Sequence, residues 1–378
     1  MKIVVALDSF KGSLAAQDAC RIVAEAIAAV RPGAQVVVKP MADGGEGTAA
    51  ALMAAANGRW MAQQVSGPLP DMRVDAGFAW LAENNTAVVE MASASGLQLL
   101  STEQRNPMRT TTYGTGQLIA AALAHGAQRI LLAVGGSATI DGGVGAATAL
   151  GWRFLRSDGR DIGLGGGHLA EIAEIVPAAR DFVVPVEVLC DVDNPLCGPQ
   201  GAAQVYGPQK GAMPEMVEQL DAALAHLARC VRDQLGLGIK DLPGAGAAGG
   251  LAAGAVAFMG GRLASGIEEV MAQTRLRSVV SDADWVITGE GCFDRQSLRG
   301  KVVSGVARVA KAGGARTAVI AGQVRLPEPA YRTFGVETAI ACMQGPTKLP
   351  YALSHSEQLL AQAARRFAER HLTDESAV

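Results

Sequence analysis

Trp285-Val286-Ile287-Thr288-Gly289-Glu290-Gly291-Cys292-Phe293-Asp294-Arg295-Gln296-Ser297-Leu298-Arg299-Gly300-Lys301 is the stretch that decides how this chain folds. A short apolar run enters a polar, glycine-bearing loop, and an amphipathic run beginning near Val302 leaves it. Such an apolar run reads as a buried strand, and apolar residues returning every three or four positions read as a helix packed on it. Strand, loop, helix is the unit of an open α/β sheet, which takes its ligands beyond the carboxyl ends of its strands. The loop carries Glu290 and Asp294, three basic residues, Gln296 and Ser297. A solvated connection into a capped helix needs far less. The inventory points to an active-site loop for an anionic substrate.

The same unit recurs along the chain. Lys2–Leu7 is a strand, Asp8-Ser9-Phe10-Lys11-Gly12-Ser13 a loop, and Ser13 the expected N-cap of a helix over 14–30. Lys11 close to Asp8 suits a phosphate or carboxylate ligand. A strand over 35–39 leads to Asp43-Gly44-Gly45-Glu46-Gly47-Thr48 and an alanine-rich helix. Acidic residues there repel a bare anion, so they suit a bridging divalent cation, a hydroxyl-rich substrate, or plain capping of the helix.

The middle of the chain has a different texture. A turn cluster at Ser66-Gly67-Pro68-Leu69-Pro70 precedes a loosely alternating strand over 74–81. Further on, the strand over 129–134 empties into Gly135-Gly136-Ser137-Ala138-Thr139-Ile140-Asp141-Gly142-Gly143, which can wrap a polyphosphate with backbone N–H groups. A strand over 183–189 ends at Cys190-Asp191-Val192-Asp193-Asn194-Pro195. Asp191 and Asp193 share a side if extended geometry persists, which suits a magnesium ion or a general base; the alternative is a turn opened by Asp-Asn-Pro. Lys210 can neutralise phosphate charge. Gly244-Ala245-Gly246-Ala247-Ala248-Gly249 has the spacing of a dinucleotide fingerprint, but no strand precedes it, so it reads as a close-packed turn.

The strand–helix alternation of the first 60 residues resumes near 282. The expected architecture is therefore α/β with two domains. Residues 1–65 with 282–378 form a Rossmann-like parallel-sheet domain, interrupted by a second α/β domain over 66–281, with the strand-end loops meeting in a cleft. A length of 378 residues exceeds what one compact core usually organises.

Composition excludes several functions. A net charge of −3 leaves no electrostatic footprint for nucleic acid or an anionic membrane. No apolar run approaches the roughly 18 residues of a membrane span, and the N-terminus enters a strand directly instead of a signal peptide. Six cysteines without a C-x-x-C pair imply reduced thiols and a cytoplasmic protein. The P-loop, H-E-x-x-H and G-x-S-x-G motifs are missing, and the five histidines form no cluster in the sequence. Glycine loops, hydroxyls, lysines and carboxylates at strand ends remain. Phosphoryl transfer uses that set: backbone donors and lysines hold phosphates, carboxylates hold Mg²⁺, and one carboxylate takes the acceptor's proton. Two readings compete with it: a nicotinamide-dependent dehydrogenase, resting only on Gly244–Gly249, and a non-catalytic sugar-acid sensor, which would have no use for the strand-end Asp and Lys residues.

The acceptor comes from a resemblance. Asp8 to Gly12, Ala42 to Thr48, Thr111 to Gly116, Gly135 to Thr139 with Asp141 to Gly143, Cys190 to Leu196, Pro208 to Ala212, Gly244 to Gly250, and Thr288 to Gly291 with Asp294, Gln296, Ser297, Gly300 and Lys301 stand in an order that closely resembles the bacterial glycerate kinases of the first family. The resemblance spans nearly the whole chain. It implies ATP-dependent phosphorylation of D-glycerate in glyoxylate or sugar-acid catabolism, usually giving 2-phosphoglycerate, with 3-phosphoglycerate as the alternative product. It also implies two α/β domains, and a homodimer is compatible with it. Leu7, Ile140, Cys292 and Val303 depart from the family pattern, and Cys292 stands where a basic residue is common.

Expected roles follow. Lys11 and Ser9 hold the glycerate carboxylate, with Arg295 or Lys301 assisting, and Asp8, Gln296 and Ser297 complete the substrate site. The ATP phosphates lie on Gly135, Gly136, Ser137, Thr139 and Gly142, with Lys210. Mg²⁺ falls to Asp191, Asp193 or Glu290. Asp191 is the first choice for general base, ahead of Asp294 and Asp8.

Overall fold

A computed structural model describes residues 1–179, 182–298, 301–345 and 348–372. Arg299 and Gly300 of the opening loop lie outside the described residues, as does the tail after 372 that sequence marks as frayed. The chain forms two compact units, residues 1–43 with 267–378, and residues 44–266. The alanine-rich helix Thr48–Ala55 and the strand Arg59–Ser66 therefore lie in the second unit.

The first unit is built on a five-stranded sheet in the order Val336–Ala341, Arg316–Ala321, Trp285–Gly289, Lys2–Leu7, Gln35–Val38. Every pairing is parallel. A parallel sheet is covered on both faces, which is why its inner strands are nearly continuous apolar runs. On one face Ile3, Val5, Leu7 and Ile287 pack against Val23 and Ile27 of helix Ala16–Val30 and against Phe367 of helix Ser356–His371. Trp285 meets Phe367 edge-on at 5.0 Å between ring centroids. On the other face, Val303 and Ala307 of helix Val302–Ala312 pack with Val319 and Ala321. Each fully buried Val, Leu or Phe contributes about 1.5–3 kcal/mol, so this two-sided core fixes the strand order.

Ser13 does not cap the first helix. The helix starts at Ala16 behind Ala15, and the Ser13 hydroxyl donates instead to the Phe10 carbonyl at 3.0 Å, closing a tight turn. Arg275, with φ of +54°, separates Gly266–Gln273 from Leu276–Val280, and His355 separates Leu349–Ser354 from Ser356–His371.

The second unit carries a six-stranded mixed sheet in the order Arg262–Ala264, Val186–Leu189, Arg129–Ala133, Thr86–Glu90, Arg73–Leu81, Arg59–Ser66. The last two strands form an antiparallel hairpin with Val65 opposite Val74. Sequence reading finds only its second strand, because Arg59 and Trp60 lie exposed on the sheet edge and blur the alternation. The helix Thr48–Ala55 is capped from a distance: the Glu90 carboxylate, at the end of its strand, accepts the Ala49 amide at 2.7 Å. The long helix Pro214–Leu235 turns Leu220, Leu224 and Leu227 into a core with Ile140, Leu196 and Phe258.

Gly289 ends the central strand of the first unit, where an added Cβ would lie 1.8 Å from the Ile320 carbonyl oxygen. Gly289→Ala is expected to cost about 1–3 kcal/mol or more by forcing the two strands apart. Chemical denaturation of the variant checks this; an unchanged midpoint would show that the strand pair yields without cost.

Candidate active site

The register of the first sheet sets its strand-end loops side by side. The Asp8 amide donates to the Gly289 carbonyl at 2.9 Å, the Gly322 amide to the Glu290 carbonyl at 3.1 Å, and the Gln323 amide to the Gly291 carbonyl at 3.1 Å. Two short strands, Cys292–Phe293 and Gln323–Val324, then pair in parallel. The loops bound a pocket of about 600 Å³. Asp8, Ser9, Lys11, Glu290, Asp294, Gln296, Ser297 and Lys301 all line it, beside an apolar wall that includes Leu349 and Leu353. Of the expected substrate residues in this unit, Arg295 alone is not on the lining; it is exposed.

The pocket is electrostatically loaded. Burial, followed by the charge of Asp43, raises the Asp8 carboxyl from 3.8 to about 7, against a hydrogen bond from the Ser9 amide. Burial also raises Glu290; Ser297 and Lys301 oppose that shift, whereas Asp43 and Asp294 add to it. One Glu290 carboxylate oxygen is buried without a hydrogen-bond partner. Asp294 is held by its own loop, its carboxylate accepting the Gln296 amide at 2.7 Å while its amide donates to the Ser297 hydroxyl at 3.0 Å. Lys11, Lys301 and Arg325 form no ion pair with a carboxylate among the described residues. Their charge is available to a ligand.

In the second unit the glycine loop is organised by Asp141, which is fully buried. Its carboxylate accepts the Thr112 amide at 2.7 Å, the Thr112 hydroxyl at 2.9 Å, the Gly143 amide at 3.1 Å and the Gly145 amide at 3.3 Å. Burial raises its pKa, and these donors oppose the rise. Lys210 is buried beneath the loop, where its ammonium donates to the Ser137 hydroxyl at 2.6 Å and the Thr139 carbonyl at 2.8 Å. Burial lowers its pKa to about 7, with Asp141 pulling the other way. Thr139 and Gly142 are buried as well, and a Cβ on Gly142 would strike Leu227 at 2.3 Å. Gly135 and Gly136 alone among the expected nucleotide residues reach the surface.

The strand before Asp191 ends at Leu189, so sheet pairing does not carry through to Asp193. Asp191 is half-buried, and its carboxylate accepts the Ser265 hydroxyl at 2.8 Å and the Gly266 amide at 3.2 Å. Asp193 is exposed. Gly244–Gly249 is a packing turn: Ala248 and Gly249 both have positive φ and lie within the buried core.

No group of three or more metal-ligating side chains is assembled among the described residues. Mg²⁺ commonly takes one or two carboxylates and completes its shell with waters and substrate phosphates. The unpartnered oxygen of Glu290, in the field of Asp8, Asp43 and Asp294, fits that partial role.

Sequence reasoning passed over Ser265, Gln323 and Arg325. Arg325 follows the same device as the opening stretch, a buried strand ending at glycine and then polar residues, here Gly322-Gln323-Val324-Arg325. That pattern was the available signal. Ser265 gave none, because it reaches Asp191 only through strand pairing between Ala264 and Leu189.

The glycerate kinase family profile matches residues 3–372. The chain is 45% identical over 369 residues to a glycerate kinase of Halalkalibacterium halodurans, covering 97% of each chain. It is 41% identical over 373 residues to the glycerate 2-kinase of Escherichia coli, again covering 97% of each. A crystal structure from Salmonella typhimurium LT2, of a protein provisionally named glycerate kinase 2, superposes with a TM-score of 0.85 at 40% identity, covering 98% of this chain and 97% of that one.

Asp8 has a folded-state pKa above its unfolded one, so the native protein keeps a proton between 3.8 and about 7 that the unfolded chain has released. Its contribution to stability is therefore lost as pH rises through that window and stays lost above it. In metal-free, substrate-free buffer, Asp8→Asn is expected to match the parent at pH 4 and to exceed it at pH 8 by on the order of a few kcal/mol. Denaturant midpoints at the two pH values measure this, and equal midpoints at pH 8 would refute it.

Proposed function

The chain belongs to the glycerate kinase family, and from that premise we propose that it transfers the γ-phosphoryl group of ATP to the 2-hydroxyl of D-glycerate, giving 2-phosphoglycerate. The observation that carries this reading is the pocket of the first unit, where uncompensated cations and buried carboxylates stand together at adjacent strand ends. A small hydroxy acid needs both: cations for its carboxylate and acceptors for its hydroxyls. ATP is the phosphoryl donor, which suits a cytoplasmic enzyme.

Lys11 and the Ser9 hydroxyl hold the substrate carboxylate, with Lys301 adding charge and Arg295 assisting from the rim. Asp8, Gln296 and Ser297 receive the substrate hydroxyls, and Asp294 fixes the conformation of their loop. Gly136 offers its backbone N–H to the nucleotide phosphates, beside Gly135, whose amide donates to the Gly44 carbonyl at 3.3 Å. Ser137, Thr139, Gly142 and Lys210 hold that loop in shape from beneath. Glu290, Asp191 and Asp193 are the carboxylates for Mg²⁺, which when bound neutralises phosphate charge. Asp191 accepts the proton of the acceptor hydroxyl. Its support is positional: Ser265 and Gly266 hydrogen-bond one oxygen and orient the carboxylate.

A coupled assay with D-glycerate, ATP and Mg²⁺, followed by phosphorus NMR of the product, tests the reading. A 2-phosphate resonance is expected, a 3-phosphate resonance would reassign the acceptor hydroxyl, and no product would end it. Asp191→Asn is expected to lower kcat by about 100-fold or more, the range for losing a general base, with nucleotide affinity nearly unchanged. Near-normal turnover in that variant would move the role to Asp8 or Asp294.

A further inference from the structure

We propose that Arg325 is a substrate-binding residue that reads the carboxylate of the hydroxy acid, supplying from a neighbouring strand the positive charge that Cys292 does not. The inference rests on the kinase reading above and deepens it by assigning a residue that neither the family resemblance nor the sequence motifs single out.

Four observations place Arg325 there. It lines the same pocket as Lys11, Asp294 and Lys301. It follows the short strand Gln323–Val324, whose partner is Cys292–Phe293, and its amide donates to the Phe293 carbonyl at 2.9 Å. Cys292 is thus opposite Gln323, and Arg325 follows directly after that strand. The guanidinium is also anchored: Nε and Nη2 both donate to the Gln323 side-chain oxygen, at 3.1 and 2.7 Å. Finally, the Arg325 side chain is exposed.

The anchoring group is an amide, not a carboxylate. Gln323 therefore orients the guanidinium without neutralising it, and Nη1 has no protein partner among the described residues. A guanidinium held this way offers a planar donor edge, the geometry that matches a carboxylate. It differs in that respect from Lys11 and Lys301, which act as point charges. Asp294 and Glu290 stand nearby, yet neither lies in ion-pair range of Arg325. The cation is positioned, exposed to the pocket and uncommitted.

The tests separate this inference from the reading beneath it. Arg325→Ala is expected to raise the D-glycerate Kd, measured by calorimetry, and its KM by about 5–20-fold, the effect of a charge-assisted hydrogen bond reduced by solvent exposure. kcat and the KM for ATP are expected to change by less than about 3-fold, a split that a general loss of structure would not give. Arg325→Lys should fall between parent and alanine variant, since it keeps charge without the planar edge. Adding Cys292→Arg to Arg325→Ala should restore most of the glycerate affinity. Denaturant midpoints of the variants show whether each remains folded; Arg325 is exposed, so little change is expected. An active parent enzyme with an unchanged glycerate Kd in Arg325→Ala overturns the inference and leaves the kinase reading standing. A loss confined to kcat or to ATP overturns it too. A parent protein that does not phosphorylate D-glycerate removes the reading itself, and the inference with it.

Discussion

The in-register pairing of Trp285–Gly289 with its two neighbours is the constraint on which the first unit depends. Leu7 is paired with Gly289, and the Asp8 amide then reaches back to the Gly289 carbonyl. On the other side, the backbone hydrogen bonds from Gly322 and Gln323 to Glu290 and Gly291 continue the sheet past its last regular residue. A parallel ladder brings all carboxyl ends to one edge, so three loops, one of them hundreds of residues from the other two, become one wall. The small side-chain volume of Gly289 is the condition for that approach. A slip of one residue would invert every side chain and carry Asp8 and Glu290 away from the pocket.

That wall concentrates charge in a way water would not. Asp8 and Glu290 sit at positions already made costly by burial, the charge of Asp43 adds to that cost, and the pKa of Asp8 rises into the neutral range as a result. The cost is tolerable because the fold supplies it elsewhere through apolar packing, on both faces of the sheet. Such arrangements are typical of sites awaiting a charged ligand. Lys11, Lys301 and Arg325 show the same logic with the opposite sign.

The second unit solves a different problem. Its glycine loop could have been floppy, yet Asp141 gathers five backbone or hydroxyl donors within 3.3 Å and fixes it. Burying a carboxylate is expensive unless its lone pairs are filled, and here they are. Lys210 performs the matching task from below. Lys210 looks like a ligand for phosphate in the linear sequence. In the folded chain it and Asp141 are the support of the loop, and only Gly135 and Gly136 remain at its surface.

The amino-acid sequence by itself determined the alternation of strand, loop and helix, and with it the α/β class and the chemical inventory at the strand ends. Those features are local: a buried parallel strand writes itself as an apolar run, and a ligand loop as glycine with charge. Asp8, Lys11, Glu290 and Asp294 were legible for that reason. The hairpin strand Arg59–Ser66 was not, because an edge strand with one wet face carries a weaker pattern. Only the tertiary structure decided which polar groups are spent on the protein and which are free. Glu90 capping a helix 41 residues away, Ser265 holding Asp191 across 74 residues, and Lys210 sealed under Ser137 all depend on long-range pairing. Arg325 belongs to the same class. Its place beside Cys292 is set by a strand pair two residues long, whose register no local period encodes.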